Sequence, residues 1–140
     1  MTQNEKQHTK PQGELLLRTV AMPRDTNPNQ DIFGEAYSEA MLMAQQFGVN
    51  ADTIIEAIGN SAMDSPMFQT KKSLWANREF PPAFALKHAS KDLNLAVKEL
   101  EQAGKSLPAV ETVAENYRQA VTAGYGEQDV AGVYLKLAEH

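Results

Sequence analysis

The chain has 140 residues, carries a formal net charge of -5 and contains no cysteine. This length fits one domain with a buried core, and the lack of cysteine excludes disulfide bonds, thiolate catalysis and cysteine-ligated zinc. The acidic balance disfavours nucleic-acid binding, which depends on a basic surface. No apolar run approaches the roughly 18 residues of a membrane-spanning helix, and the polar amino terminus does not resemble a secretory signal. The composition therefore predicts a soluble, cytoplasmic protein.

The first 30 residues predict little regular structure. Residues 1–12 contain no apolar residue after Met1, so we expect a disordered tail. The run Glu14–Val20, ELLLRTV, is compatible with a strand or with the start of a helix. The stretch Met22–Gln30 combines two prolines, two asparagines and an aspartate, and it predicts a loop.

From Phe33 on, the apolar residues recur at helical spacing. In the first predicted helix they are Phe33, Ala36, Ala40, Met43, Ala44 and Phe47, with Gly48 as its C-terminal glycine. Start and stop signals then predict a helix capped by Asn50, a helix over Pro66–Trp75, one over Leu86–Ala103, one that begins at Leu107-Pro108, and one over Asp129–Ala138. With no convincing strand beyond Phe33, the sequence predicts an all-α array of about six helices behind a disordered or extended N-terminal leader.

The segment Phe80–Ala96, FPPAFALKHASKDLNLA, resembles a signature of the C-terminal helical domain of the β-hydroxyacid dehydrogenases. SEAMLMAQQFGVN before it and AGYGEQDVAGV after it extend the resemblance from about Glu35 to the C-terminus. It is closest to the glyoxylate/succinic semialdehyde reductases, beside 3-hydroxyisobutyrate dehydrogenase. The resemblance implies the helical fold of the 6-phosphogluconate dehydrogenase C-terminal domain. It also implies hydride transfer between NAD or NADP and a small 3-hydroxy acid or aldehyde acid.

The same resemblance implies positions for the cofactor site. Lys91, in the string Lys-Asp-Leu, corresponds to a lysine at the cofactor, and Phe84 corresponds to a residue that lines the nicotinamide region. The family's catalytic lysine falls at Pro23, and its asparagine four residues later has only a weak counterpart in Asn27. The sequence also lacks the glycine-rich fingerprint of a Rossmann domain. We therefore expect no catalytic residue, no tight binding of NAD or NADP, and negligible reductase activity from this chain alone.

Residues 11–34, PQGELLLRTVAMPRDTNPNQDIFG, resemble the opening of the hot-dog-fold acyl-CoA thioesterases. In that family a second glycine and a catalytic acid follow, and the corresponding positions here are Glu35 and Leu42. The two resemblances meet between Phe33 and Ala36. We interpret the chain as a chimera with a leader over residues 1–34 and a dehydrogenase-like helical domain over residues 35–140.

The remaining candidates are weighed against a structural role. Lys87, His88 and Lys91 form a basic face that the pattern alone assigns to solvent, although the resemblance favours a cofactor role for Lys91. His88 titrates near neutral pH and could act as a general acid or base, but a surface position is favoured. For Asp92 we favour a structural role.

Two further groups of side chains raise the same choice. Asp31, Glu35 and Glu39 follow at i and i+4, and a solvated face is favoured over a paired acid site. Core packing is favoured over a ligand groove for the methionines Met41, Met43, Met63 and Met67. The aromatic residues around the Pro-Pro turn are expected to be exposed or covered by self-association, namely Trp75, Phe80 and Phe84.

Two other functions remain open at this stage. One is a non-catalytic oligomerisation or interaction module, and the other is a remnant of an acyl-CoA thioester hydrolase. The expected partners are a second copy of the chain or a Rossmann domain, with no nucleic acid, membrane or metal.

Overall fold

The computed structural model describes residues 28–139. Six α-helices span Pro28–Gln46 (α1), Ala51–Gly59 (α2), Pro66–Asn77 (α3), Leu86–Gln102 (α4), Pro108–Ala120 (α5) and Val133–Leu137 (α6). A π-helical turn over Val121–Tyr125 continues α5, and a 3-10 turn over Val130–Gly132 leads into α6. In this range the only extended pairing is an antiparallel bridge between Ala85 and Asp129. The prediction of an all-α array of about six helices is confirmed.

Several predictions lie outside the described residues. They concern the tail over residues 1–12, the run Glu14–Val20, and the positions of Pro23 and Asn27. No helix within residues 28–139 is long and apolar enough to cross a membrane.

Local capping residues determine where the helices begin and end, as predicted. The Asn50 side chain accepts a hydrogen bond from the Thr53 amide at 2.9 Å, and Ser65 caps α3 in the same way, with Pro66 in its first turn. Gly104 follows α4 with φ of 73°, a backbone conformation that costs glycine little because it has no Cβ.

Three predicted boundaries are wrong. Helix α1 begins at Pro28 rather than Phe33, so the predicted loop Met22–Gln30 fails over its last three residues. A first-turn proline is tolerated because a helix leaves its first N–H groups unpaired in any case. Helix α3 continues to Asn77. The last helix begins as a 3-10 turn, because the Asp129 carboxylate accepts a hydrogen bond from the Ala131 amide and caps it.

The core consists of two packed clusters that share one short segment. The first, the α4–α5 cluster, joins α4 and α5 to the segment before and at the start of α6. Its buried members are Leu86, Ala89, Leu93, Val113, Ala114, Tyr117, Ala120, Val130 and Val133. The second, the α1–α3 cluster, joins α1 and α3, and its buried members are Met41, Phe68, Trp75, Phe80, Ala131 and Tyr134. Residues 130–134 contribute side chains to both clusters, so this segment connects the two halves of the core.

The fate of the aromatic residues differs from the expectation. Trp75 is fully buried and Phe80 nearly so, within the chain itself. The Trp75 ring stacks against Phe68 with centroids 5.9 Å apart, and its Nε1 donates a hydrogen bond to Ser38 Oγ at 3.0 Å. The predicted exposure or burial by self-association is therefore wrong for Trp75 and Phe80, because Ser38 and Phe68 pack against Trp75 and the Tyr134 ring lies against Phe80.

The methionines divide into two groups. Met41 is buried and Met67 is partly buried against the α1–α3 cluster, as predicted. Met43 and Met63 are exposed, so the prediction of core packing is wrong for these two. They occupy positions that no neighbouring helix of the described range covers.

A buried ion pair joins α3 to the segment before α6. Lys71 Nζ lies 2.9 Å and 3.1 Å from the two carboxylate oxygens of Asp129, and both side chains are almost inaccessible to solvent. Asp129 also accepts hydrogen bonds from the backbone amides of Ala83, Phe84 and Ala131. The sequence pattern did not predict an ion pair between Lys71 and Asp129.

Two acidic residues of α1 point into the protein. Asp31 and Glu35 are buried while Glu39 is exposed, so the predicted solvated face is wrong for the first two. Helix α5 covers them, and the Asn116 side chain donates a hydrogen bond to Glu35 Oε1 at 2.8 Å. Burial raises the pKa of Glu35 to about 7, the Asn116 bond opposes this rise, and the nearby charge of Glu39 adds to it.

The substitution Lys71→Met is expected to lower the unfolding free energy by about 3–5 kcal/mol, because it leaves the Asp129 carboxylate buried without its cation. The matched control is Lys87→Met, which removes a lysine from the exposed pair with Glu127 and should cost less than about 1 kcal/mol. Urea denaturation of both variants measures the difference. Equal losses would show that burial does not control the strength of the Lys71 interaction.

The raised pKa of Glu35 makes stability depend on pH. Unfolding lowers this pKa to its ordinary value of 4.5, so the unfolding free energy should fall as the pH rises from 4.5 to about 7 and then level off. Glu35→Gln should reduce this slope and raise stability at pH 8 by on the order of 2 kcal/mol.

Urea midpoints at pH 5 and pH 8 test this expectation. The control Glu101→Gln changes an exposed glutamate of α4 and removes no buried charge. A Glu35→Gln variant that kept the full slope of the unsubstituted chain would contradict the assignment to Glu35.

Candidate functional site

The loop Phe80–Ala85 leads into α4 and is held along its length. The Phe80 carbonyl accepts a hydrogen bond from the Asp129 amide at 2.9 Å, and the Phe84 carbonyl accepts one from the Val130 amide at 3.0 Å. The Asp129 carboxylate accepts from the Ala83 amide at 3.0 Å and from the Phe84 amide at 3.3 Å. Backbone and side chain of Asp129 together therefore determine where Phe84 stands.

Phe84, His88 and Lys91 lie along one face at the start of α4. Phe84 is half-buried and packs against the α4–α5 cluster, with its ring centroid 5.7 Å from that of His88. His88 and Lys91 are exposed, and their spacing of three residues makes them neighbours on the helix surface. His88 thus lies against the Phe84 ring and one helical turn before Lys91, and it connects the two residues predicted to contact the cofactor.

The two lysines at the start of α4 differ in their surroundings. Lys87 Nζ lies 2.5 Å from Glu127 Oε1. Lys91 forms no ion pair with any residue of the described range 28–139. An exposed ammonium can attract a phosphate or carboxylate, and a half-buried aromatic ring can contact a flat heterocycle.

Acidic side chains lie beneath this basic face. Asp92 is half-buried, and burial raises its pKa while His88 and Lys91 lower it. Burial raises the pKa of Asp31 well above its ordinary value, the charge of Asp92 adds to the rise, and Lys71 opposes it. Both carboxyl oxygens of Asp31 are buried and have no hydrogen-bond partner among residues 28–139. Burial therefore favours the neutral, protonated form of Asp31, which is able to donate a hydrogen bond.

Other predicted candidates lie elsewhere. Glu39 borders a separate cleft between α1 and α5, with a volume of about 410 Å³, which neither Phe84 nor Lys91 lines. Within residues 28–139 no group of three acidic, histidine or cysteine side chains could hold a metal ion.

Sequence reasoning missed two features that shape the site. Lys71 and Asp129 are 58 residues apart, and no periodicity connects them. The one local signal was the position of Asp129 at the start of the last predicted helix. The burial of Asp31 had only the i, i+4 spacing of acids as a sign, and that spacing also fits a solvated face.

The amino-acid sequence is similar to those of proteins that are named as reductases and of proteins that are named as nuclear factors. It is 33% identical over 98 residues to glyoxylate/succinic semialdehyde reductase 1 of Arabidopsis thaliana, covering 70% of this chain and 34% of that protein. It is 34% identical over 99 residues to the cytokine-like nuclear factor N-PAC of Anopheles gambiae, covering 71% of this chain and 18% of that protein. The chain therefore spans about a third or less of these relatives.

The fold has a counterpart among solved structures. A crystal structure of 3-hydroxyisobutyrate dehydrogenase from Salmonella typhimurium superposes with a TM-score of 0.73 and 25% sequence identity. The superposition covers 77% of this chain and 38% of that chain. The helical domain predicted from the segment Phe80–Ala96 is thus confirmed, whereas the thioesterase resemblance of residues 11–34 stays a prediction.

A family model described as the NAD-binding domain of NADP-dependent 3-hydroxyisobutyrate dehydrogenase matches residues 33–137. This range contains every helix of the core except the first five residues of α1, and it contains the whole face around Phe84 and Lys91. The chain belongs to this family of helical NAD-binding dehydrogenase domains.

Proposed function

We propose that this chain forms the helical side of an NAD(P)-dependent hydroxyacid dehydrogenase site, with Phe84 and Lys91 facing the nicotinamide cofactor. The observation that carries the proposal is the loop held by Asp129, which sets a half-buried ring two helical turns before an unpaired lysine in a chain of this family. The printed sequence has no glycine-rich strand-turn-helix element, so the proposal assigns the phosphate-binding side to a Rossmann domain outside these residues.

The residues of this face fit a nicotinamide cofactor. Lys91 offers a positive charge and up to three N–H donors to its anionic or polar groups. Phe84 offers an apolar ring surface that excludes water from one side of the nicotinamide. When bound, the cofactor supplies the hydride that is exchanged with a small 3-hydroxy acid or aldehyde acid.

We place the acid/base step of the reaction outside the face around Phe84 and Lys91. The family's catalytic lysine falls at Pro23, whose side chain cannot exchange a proton, and Asn27 is the uncertain counterpart of the family's asparagine. Both positions lie outside the described residues. His88 is exposed and has no carboxylate hydrogen-bonded to it within residues 28–139, so we assign it no catalytic role. We accordingly propose that the chain alone does not reduce substrate.

The division of the chain is part of the same proposal. Residues 35–140 would form the dehydrogenase-like domain, and residues 1–34 a leader of separate origin. Helix α1 runs continuously through this junction, from Pro28 to Gln46. A thioesterase function receives no support from the position of its expected acid, because Leu42 packs against the α1–α3 cluster.

A second candidate function is self-association without catalysis. Its support is the set of large apolar side chains of α1 that remain exposed, namely Phe33, Met43 and Phe47. A further support is that a relative 34% identical over 99 residues is named a nuclear factor, a name that describes no reductase.

The chain alone is expected to show no turnover with NADPH and either glyoxylate or succinic semialdehyde, because it lacks the phosphate-binding side and the lysine. Loss of NADPH absorbance measures the rate, and the full-length Arabidopsis reductase serves as the positive control. A rate near that of the control would defeat the proposal of an incomplete site.

The role of Lys91 is testable in a fusion that joins the Rossmann domain of the Arabidopsis reductase to residues 28–140 of this chain. Lys91→Met should weaken NADPH binding about tenfold, which corresponds to about 1.4 kcal/mol. Fluorescence titration measures the dissociation constants.

The matched control is Lys98→Met, two turns further along α4. An equal effect of the two substitutions would show that Lys91 acts only through the general charge of the helix.

A further inference from the structure

The buried pair of Lys71 and Asp129 is connected by hydrogen bonds to the loop that carries Phe84. Lys71 stands on α3, and Asp129 precedes the 3-10 turn before α6. Their side chains are 4% and 0% exposed. Two charges so far from solvent carry a desolvation cost that their attraction offsets only when further hydrogen bonds satisfy the pair. The further bonds of Asp129 therefore indicate which parts of the chain the pair holds in place.

The two carboxylate oxygens of Asp129 bind different parts of the chain. Oδ1 accepts hydrogen bonds from Lys71 Nζ at 3.1 Å and from the amides of Ala83 and Phe84 at 3.0 Å and 3.3 Å. Oδ2 accepts from Lys71 Nζ at 2.9 Å and from the Ala131 amide at 3.0 Å. One oxygen thus holds the loop before α4, the other caps the turn before α6, and Lys71 contacts both.

The charge of Lys71 keeps both oxygens of Asp129 available as acceptors. An ionised carboxylate only accepts hydrogen bonds, whereas a protonated carboxyl carries an O–H donor on one oxygen. Burial without a cation favours protonation or the entry of water, and either change takes an acceptor position away from the amides. Burial also raises the pKa of Asp31 well above its ordinary value, so this neighbouring acid competes only weakly with Asp129 for Lys71.

The loop bonds are those that loss of the cation would break first. Ala131 is fully buried, so its amide has no water to replace a lost acceptor and its release is costly. Ala83 is exposed and Phe84 is half-buried, so their amides can exchange the carboxylate for water at a lower cost. Removing Lys71 should therefore loosen the loop at Phe84 and leave the cap at Ala131 in place.

We infer that Lys71 is a positioning residue of the candidate cofactor face, because it holds the Ala83 and Phe84 amides, and thereby the Phe84 ring, through the carboxylate of Asp129. This inference deepens the proposed function. Its consequence for cofactor binding rests on that proposal, whereas the positioning of the ring does not.

Nuclear magnetic resonance of the full chain measures the position of the Phe84 ring without a cofactor. The ring centroid lies 5.7 Å from that of His88, so its ring current shifts the imidazole resonances of His88. In Lys71→Met these resonances should move toward their positions in Phe84→Leu, which has no aromatic ring. The amide protons of Ala83 and Phe84 should move upfield as they lose a carboxylate acceptor, and that of Ala131 should keep its shift.

Matched variants separate positioning from general loosening. Lys71→Arg restores a cation that can contact both carboxylate oxygens and should restore the His88 resonances. Lys72→Met removes the neighbouring lysine, which bonds to a surface glutamine at 2.7 Å, and should leave them unchanged. Met41→Ala destabilises the chain through a cavity in the α1–α3 cluster and should also leave them unchanged.

Two further variants secure the measurement. His88→Gln identifies the resonances of His88 among those of the three histidines. If Lys71→Met does not fold, Lys71→Gln takes its place, because glutamine loses the charge and keeps N–H donors for the carboxylate. It should shift the His88 resonances in the same direction.

Cofactor binding tests the functional consequence in the fusion of the Arabidopsis Rossmann domain with residues 28–140. Lys71→Met should raise the NADPH dissociation constant about fivefold, within the range of couplings in one hydrogen-bond network, and Lys71→Arg should restore it. In a Phe84→Leu background Lys71→Met should have no further effect, since it acts through the ring. In a Lys91→Met background its full effect should remain.

Each other outcome overturns a defined statement. Unchanged His88 and amide resonances in Lys71→Met overturn the inference, and so do equal changes in Met41→Ala, which report general loosening. Additive effects of Lys71→Met and Phe84→Leu on NADPH binding overturn the route through the ring. A moved ring with an unchanged NADPH constant overturns the consequence for the cofactor and leaves the positioning in place. A fusion without NADPH binding overturns the proposed function but not the positioning measured in the chain alone.

Discussion

The buried pair of Lys71 and Asp129 is the interaction on which the arrangement of this domain depends. Burying two charges carries a large desolvation cost that their attraction alone seldom offsets. Here the Asp129 carboxylate also accepts hydrogen bonds from three backbone amides, those of Ala83, Phe84 and Ala131. One side chain therefore orients the loop that carries Phe84 and caps the turn that sends residues 130–134 into both halves of the core. The candidate cofactor face and the core consequently share a single electrostatic anchor.

Helix α1 has three sides that lie in different environments. One side completes the core around Met41, a second carries the acids Asp31 and Glu35 under α5, and a third leaves Phe33, Met43 and Phe47 in contact with water. The buried acids of the second side oppose the stability of the chain near neutral pH, because burial raises the pKa values of Asp31 and Glu35 and disfavours their ionisation. Covering the exposed apolar side chains of the third side would lower the free energy, because it removes apolar surface from water.

Membership of the dehydrogenase family identifies the fold of this domain, whereas the geometry of the site bears on its function. The family match and the superposition establish the helical domain, whereas a function has to be argued from side chains. The face around Phe84 and Lys91 has an apolar ring and a lysine that forms no ion pair within residues 28–139, and we assign no acid/base role to any residue of that range. We propose that this face forms one wall of a cofactor cleft.

Local signals in the sequence were sufficient for much of the fold. Asn50, the Ser65-Pro66 pair and Gly104 act within one helical turn of their own position, so the sequence alone determined most helix ends. The string Phe80–Ala96 likewise identified the family. Where a local signal was ambiguous the prediction failed, as at Pro28, which suits both a loop and a first helical turn.

Only the tertiary structure decided which faces are buried. Asp31 and Glu35 were expected to face solvent, but α5 covers them. Trp75 was expected at the surface, but it is buried against α1. Met43 was expected in the core, but it is exposed to water. The pairing of Lys71 with Asp129 across 58 residues was equally hidden. The periodicity of a helix shows that its sides differ, but the burial of a side depends on which distant helix packs against it, and no residue within one turn carries that information.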